Sequence, residues 1–414
     1  MVGFALPLAP STGIARSGRS KPAGNSSTEL RISDTVSVPV YEQELWTSRQ
    51  RQASSIHEVS YRACFKPQLP GYFIEQLTCP GDLVYDPFSG RGTTAVEAAL
   101  RGRNVIVNDV SPLSEILARP RLELPSVAEI DGRLRSLRFA ARPRSGLDLS
   151  MFFHPDTEFE LLGLREYLFR RWIAGAEDGA DRWIRMVATN RLTGHSPGFF
   201  SVYTLPPNQA VSPDDQVRIN AKLRQEPEYR DIRALILKKT LQLQGRLTAA
   251  ERWRLRAAAE TARYMVCKAA ATPDIPSNAV QLTVTSPPFL DVVQYAQDNW
   301  LRCWFNGLNA ETIGARITMS RTVEHWSAEM SAVFAELHRI TRPGGWVAFE
   351  VGEVRRGTVK LEEIVAPLGV AAGFECSAIL INAQRFTKTA NIWGVRNNSL
   401  GTNSNRIVLF RKPA

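Results

Sequence analysis

The chain has 414 residues, 44% of them apolar, so it can bury a sizeable core in one large domain with an insertion or in two domains. A formal net charge of +10 favours an anionic partner, nucleic acid first, and no apolar run approaches the ~18 residues of a membrane span. Its five cysteines and five histidines are scattered without metal-ligand spacing, which points to a reduced intracellular protein without a zinc site.

Residues 1–40 are rich in Ser, Pro, Gly and Ala, with Arg16, Arg19 and Lys21 and no acid before Glu29. They read as a disordered basic tail, or alternatively as an organelle transit peptide. From Tyr41 the composition changes. A loop over Tyr61–Pro70 precedes a helical spacing from Tyr72 to Leu77. Leu83–Tyr85 is a short apolar strand that runs into Asp86-Pro87-Phe88-Ser89-Gly90-Arg91-Gly92-Thr93-Thr94. Thr93–Leu100 is a helix stopped by Gly102, and Val105–Val107 is a second strand, ending at Asn108-Asp109. Strand, glycine turn, helix, strand and acid form the βαβ arrangement of a nucleoside-cofactor site. Asp109 stands about 20 residues beyond Gly90, the offset of an acid that meets ribose hydroxyls. The turn lacks the third glycine of a dinucleotide fingerprint.

Pro120 to about Ala271 interrupts the pattern with basic helical stretches, among them Arg165–Trp172 and Arg252–Arg256. These fit either solvated faces over an aromatic core stripe or a surface for phosphates and unstacked bases. Between them lies an irregular loop, Thr193 to Gln209, dense in glycine, proline and aromatics. His195 within it reads as structural rather than catalytic. The α/β pattern resumes at Tyr264–Cys267. Val280–Val284 is a buried strand that two prolines stop in Thr285-Ser286-Pro287-Pro288-Phe289. Ser-Pro-Pro also occurs in plain loops, but here a stiff turn presents a hydroxyl, carbonyls and a flat ring at a strand's carboxyl end. Helical spacing follows over Leu290–Phe305 and Trp326–Ile340. Arg342-Pro343-Gly344-Gly345 is a turn signal, Trp346–Val351 a strand, and Glu362 opens another helix that stops near Gly373. Ser377–Asn382 and Arg406–Phe410 close the chain as strands. The count is about seven strands.

Taken together, Asp86–Gly92 resembles the S-adenosylmethionine motif of the amino-directed DNA methyltransferases, and Thr285–Phe289 resembles their catalytic motif. The serine form is most similar to the N4-cytosine branch. The likeness covers about residues 41–414. It implies a Rossmann-like methyltransferase sheet with a largely helical insertion: cofactor-binding part at 41–119, insertion at 120–262, catalytic part at 263–414. It implies catalytic roles for Ser286, Pro287, Pro288 and Phe289. Cofactor contacts are implied for Tyr61, Phe65, Lys66, Pro67, Asp86, Pro87, Phe88, Ser89, Gly90, Gly92, Thr93, Thr94, Asn108, Asp109 and Thr285. With the cofactor motif first, the insertion resembles a target-recognition region, and His195, Ser196, Phe199, Phe200, Tyr203 and Asn208 are the residues expected on DNA. Leu290–Arg321 and a closing hairpin over Val395–Arg406 are further candidates.

The resemblance implies S-adenosylmethionine and no metal, double-stranded DNA as partner, a cognate restriction endonuclease as a second one, and a cytoplasmic protein of bacterial, archaeal or phage type. The expected reaction is methyl transfer to the N4 amine of a flipped cytosine. N6-adenine transfer on the same scaffold, or cofactor and DNA binding without turnover, are the alternatives. Methylation at cytosine C5 is set aside, because no cysteine lies in the catalytic loop. Two departures stand out. Met265-Val266-Cys267-Lys268-Ala269 lacks the acid that the family uses on the adenine, with Asp274 too far along, and Gln281 replaces an acid that often precedes the apolar run.

Overall fold

The computed structural model describes residues 26–32, 36–43, 45, 53–62, 64–139, 146–204, 210–288, 294–317, 320, 322–354, 359–383 and 404–414. It opens on β1 (Ser26–Arg31) and β2 (Ser37–Gln43), an antiparallel pair with Arg31 opposite Ser37. This corrects the expectation of a disordered tail over 1–40 for its second part; residues 1–25 lie outside the described residues. The Ser/Thr-rich composition hides a period of two. Val38 and Val40 fall on one face of the strand, and both pack into the core.

A 3-10 turn (Ser55–His57) and α1 (Gln68–Leu77) lead to β3 (Leu83–Asp86), α2 (Thr93–Leu100) and β4 (Asn104–Asn108). Seven helices follow: α3 (Leu113–Glu123), α4 (Val127–Ser136), α5 (Pro155–Ile173), α6 (Gly179–Arg191), α7 (Pro213–Leu223), α8 (Ile232–Gln244) and α9 (Ala249–Thr261). Capping boxes at Ser126/Glu129, Asp178/Asp181 and Thr248/Glu251 satisfy the first N–H groups of α4, α6 and α9. Then come β5 (Arg263–Met265), β6 (Val280–Thr285), α10 (Tyr295–Phe305), α11 (Ala310–Arg316) and α12 (Val323–Ile340). The chain ends with β7 (Thr341–Val351), β8 (Glu353–Val354), β9 (Val359–Lys360), α13 (Leu361–Ala371), β10 (Glu375–Ala383) and β11 (Ser404–Arg411).

The main sheet has nine strands in the order β1-β2-β10-β11-β7-β6-β3-β4-β5, and β8 pairs with β9 apart from it. The strands expected from the sequence are β3 to β7, β10 and β11; the hairpin β1–β2 adds to them by pairing β2 parallel to β10. From β3 to β7 all pairings are parallel, whereas β11 runs antiparallel between β7 and β10. This is a mixed, Rossmann-like α/β sheet. The chain steps outward from β3 through β4 to β5, then returns to the other side of β3 with β6. The order therefore reverses between β3 and β6, and open α/β sheets bind ligands beyond the carboxyl ends of the strands at such a point.

Two details differ from expectation. Pro120, taken as the insertion's start, lies inside α3, which runs on to Glu123. Arg342-Pro343-Gly344-Gly345 is not a break between elements: β7 spans it, with a register shift against β6 between Val280 and Leu282. Among the described residues, the insertion shares its core with the sheet. Leu161, Leu164, Trp183 and Ile236 belong to the same apolar cluster as Val84 and Val105 of the sheet. The other face of the sheet is covered by α12 and α13 through Trp326, Phe334, Leu337 and Val365.

Candidate active site

Asp86 ends β3 and Thr285 ends β6, two adjoining parallel strands. The Thr285 hydroxyl donates to Asp86 Oδ1 at 2.6 Å, so the two motifs separated by the whole insertion are bonded side chain to side chain. Phe88 N–H also donates to Oδ1, at 3.1 Å. Asp86 Oδ2 is buried without a hydrogen-bond partner in the described structure. Burial pushes the Asp86 carboxyl up to about 7.

The glycine turn is built from its own backbone and its neighbours. Ser89 donates its hydroxyl to Asp86 O at 2.7 Å and accepts from Asn108 N–H. Asn108 bridges onward, donating to Pro87 O at 3.2 Å and to Cys267 O at 3.1 Å, and accepting from Cys267 N–H at 3.0 Å. Gly90 (φ 51°) and Gly92 (φ 76°) take left-handed backbone, and a Cβ on Gly92 would stand 2.6 Å from Ala118 Cβ. Gly90 N–H donates to Asp109 Oδ2 and Ser111 N–H to Oδ1, both at 2.9 Å. Burial raises Asp109 to about 6.

A cleft runs from this turn to the Ser-Pro-Pro stretch. It is lined by Tyr61, Pro87, Phe88, Gly90, Asp109 and Val110, by Ser286, Pro287 and Pro288, and by Lys268–Ala270, Glu329, Met330 and Val333. Ser286 is half-buried and is hydrogen-bonded to the buried carboxyl of Glu350, which also accepts from Asn405 Nδ2 at 2.9 Å. Burial raises Glu350 above the usual carboxylate range. Trp326 of α12 donates its indole N–H to the Pro288 carbonyl at 3.0 Å, which fixes the catalytic turn against that helix. Phe289 lies outside the described residues.

The structure thus gathers Tyr61, Pro87, Phe88, Gly90, Asp109, Ser286, Pro287 and Pro288 around one space, with Asp86 and Thr285 bonded beneath it. Other residues expected at the cofactor have their side chains engaged within the protein. Ser89 and Asn108 spend their side chains inside the protein, and so does Thr94, which donates to Val284 O at 3.1 Å. Thr93 accepts from Arg91 Nε at 3.0 Å, and Gly92 packs on α3. Phe65 packs against the core, Pro67 is buried at the start of α1, and Phe65, Lys66 and Pro67 are all absent from the cleft wall. Ser89, Asn108, Thr93 and Thr94 brace the glycine turn from within the protein. Asp274 is exposed, and its carbonyl accepts from Arg263. Gln281 Nε2 donates to Leu77 O at the opposite end of β6.

Sequence reasoning missed Glu350, Tyr295 and α12. Tyr295, at the cleft wall, shares a hydrogen bond with Ser111. Glu350 shows a faint signal, a lone acid ending the apolar run Trp346–Phe349. Its partnership with Ser286 depends on the β6–β7 register, which sets Thr285 opposite Phe349.

The loop expected to stack on bases needs a larger correction. Phe199 is 8% exposed and Phe200 not at all. Phe199 lies under the Arg191 guanidinium, 4.0 Å from its ring centroid, and against Gly194, where a Cβ would stand 2.4 Å from the ring. Thr204 N–H closes the loop onto Gly194 O at 3.1 Å. The rings are the loop's own core. His195 and Ser196 are exposed at its tip, Tyr203 is half-buried, and Asn208 lies outside the described residues. Among the described residues no cluster of His, Cys, Asp and Glu could hold a metal, and no helix is long and apolar enough to cross a membrane.

Known proteins were compared with this chain. The N6/N4 methylase family model, described as DNA methylase, matches residues 21–113, which takes in the hairpin β1–β2 and the glycine turn. The type II methyltransferase M.MjaII of Methanocaldococcus jannaschii is 35% identical over 77 residues, 18% of this chain and 14% of that protein. M.BsoBI of Geobacillus stearothermophilus is 32% identical over 83 residues, 20% of this chain and 16% of its own. The matched segments thus span about a seventh of those relatives. Among solved structures, a DNA modification methylase from Thermus thermophilus, TTHA0409, complexed with S-adenosyl-L-methionine, aligns over 34% of this chain and 50% of its own, at 21% identity and a TM-score of 0.22. A SAM-dependent methyltransferase from Methanosarcina mazei aligns over 82% and 97%, at 9% identity and a TM-score of 0.32. Both superpositions are loose, and the fold stands on the strand order described above. The likeness to DNA methylases is thus carried by residues 21–113, where the family model matches, and the two curated relatives are similar to this chain over 77 and 83 residues.

Proposed function

We propose that this protein transfers a methyl group from S-adenosylmethionine to the exocyclic N4 amine of a cytosine extruded from duplex DNA. The observation that carries the reading is the pairing at the switch point: a serine backed by a buried carboxyl, beside an aspartate with an open buried oxygen.

The residues present fit the cofactor. Asp86 Oδ2 offers a counter-charge to a cationic group. Asp109, whose oxygens each keep a further lone pair after the Gly90 and Ser111 bonds, offers acceptors for ribose hydroxyls. Gly90 leaves open backbone beside Tyr61. S-adenosylmethionine would supply the electrophilic methyl and leave as the neutral thioether.

The protein's own task is to make a poor nucleophile competent. The amine lone pair of cytosine is delocalised into its ring. Hydrogen bonds accepted from both amine hydrogens favour a tetrahedral nitrogen and free that pair. The Ser286 hydroxyl, oriented by donating to Glu350, and the Pro287 carbonyl are the acceptors; the Pro288 carbonyl is occupied by Trp326. When the N–C bond forms, the nitrogen becomes acidic. Its proton passes to the Ser286 oxygen as the serine proton passes to Glu350, whose raised affinity for protons suits that role. Holding the base in line supplies much of the rate.

The helical insertion is the recognition region in this reading. α10, which follows the catalytic turn, is docked on it: Trp300 donates to Val211 O at 3.2 Å and Asn306 to Thr189 at 2.9 Å. His195, Ser196 and Tyr203 remain as surface contacts for DNA. A restriction endonuclease of matching specificity is the expected companion in the cell, where both act on cytoplasmic DNA.

The test is label transfer from S-adenosylmethionine into mixed-sequence duplex DNA, followed by digestion and mass spectrometry of the nucleosides. N4-methylcytosine is expected. N6-methyladenine alone would overturn the base assignment, and DNA binding without label would overturn the activity.

A further inference from the structure

Part of the cleft wall differs in chemistry from the Ser-Pro-Pro stretch. It is made by the loop Lys268–Ala270, which follows β5, and by one face of α12. That face carries Trp326, Met330 and Val333, which are 0%, 1% and 4% exposed. Glu329 lies three residues after Trp326 and four before Val333, spacings that put all of them on one side of a helix. It is half-buried and forms part of the cleft wall. The Trp326–Pro288 hydrogen bond ties α12 to the catalytic turn, so Glu329 is held at a fixed place relative to Ser286.

An apolar slot of this kind suits a flat ring system, and its polar groups decide which ring. Lys268 and Arg316, both on the wall, are donors only. The main chain of Cys267 is already engaged on both sides by the Asn108 amide. Asp109 is engaged by Gly90 and Ser111. Among the described residues of this part of the wall, the side chain able to accept from an amine is the Glu329 carboxylate.

We propose that Glu329 accepts a hydrogen bond from the exocyclic amine of the cofactor's purine, and so selects adenine over a 6-oxo purine. This rests on the cofactor reading above. It assigns to a helix on the catalytic side of the chain the role for which the loop after β5 has no acid. Glu329 is a specificity residue here and takes no part in the chemistry at the methyl.

Binding of S-adenosylhomocysteine and of its hypoxanthine counterpart, S-inosylhomocysteine, to the full chain tests this by calorimetry. The unaltered protein is expected to favour the adenine form by on the order of 10- to 100-fold, the range for a hydrogen bond to a charged group. Glu329→Ala should bring the two ligands to within about threefold of each other, by weakening the adenine form alone. Glu329→Gln keeps the size and offers a donor to the purine 6-oxygen, so its preference should narrow further or reverse; a packing role would not do that. A Glu329→Ala protein that keeps the full adenine preference overturns the inference and leaves the cofactor reading standing. An unaltered protein that binds neither ligand overturns both.

Discussion

Two glycine-containing loops carry the clearest local signals in this sequence, Asp86–Thr94 and Thr193–Gln209, and the fold uses them in opposite ways. The first is held open from below. Its side chains and backbone bond to β4 and β6, which leaves Gly90, Pro87 and Phe88 on a cleft wall with an aspartate oxygen buried near it. The second closes on itself. Phe199 fills the space above Gly194, Phe200 is fully buried, and among the loop's described residues exposure is confined to the tip His195–Pro197. Glycine beside aromatics signals a close approach of backbone to something flat. In one loop the proposed object is a ligand, and in the other it is the loop's own phenylalanine.

The contrast can be broken by mutation. Phe200→Ala should destabilise the protein by about 3–5 kcal/mol, since it removes a fully buried ring, whereas His195→Ala should stay within about 0.5 kcal/mol. Chemical denaturation reads both. A Phe200→Ala protein of normal stability with weakened DNA binding would restore the base-stacking role that burial argues against.

The two glycines sharpen it next. Gly92 combines a left-handed backbone with a contact of 2.6 Å to Ala118 for an added Cβ. Gly92→Ala should cost about 1–3 kcal/mol and loosen cofactor binding with it. Gly194→Ala has negative-φ backbone and meets only the Phe199 ring, so it should cost stability without touching cofactor affinity. Thermal unfolding with and without S-adenosylmethionine separates the two outcomes.

What the sequence made legible follows from this. Apolar runs marked seven of the strands from β3 onward, all but the short pair β8 and β9, because such runs are local. The hairpin β1–β2 escaped because its Ser, Thr and Pro content looks like a tail, and its stability comes from pairing β2 with β10 at the far end of the chain. Pro120 looked like a boundary, yet α3 runs through it. Phe199 and Phe200 looked exposed because composition does not report which side of a loop is filled. Glu350 was invisible as a partner of Ser286, since only the register between β6 and β7 brings them together.

A smaller effect concerns pH. Asp86 has its folded value near 7, above the ordinary carboxylate range of an unfolded chain. From about pH 4 to 7 the folded protein therefore holds a proton that the unfolded chain has released, and this contribution to stability is lost as pH rises through 7. Cation binding runs the other way, because it needs the ionised form. S-adenosylmethionine affinity should rise up to about tenfold between pH 6 and 8, and Asp86→Asn should flatten the profile. An unchanged slope in Asp86→Asn would remove Asp86 from the cofactor's charge balance.

Ser286 is the group on which the proposed chemistry turns, because it meets the amine. The direct measurement is single-turnover methyl transfer to duplex DNA by Ser286→Ala, with S-adenosylmethionine affinity determined on the same preparation. Transfer should fall by about 100-fold or more, in the range for loss of a positioned acid–base group, while cofactor affinity stays within about threefold. Full transfer by Ser286→Ala would contradict the assignment of this cleft's chemistry to the serine.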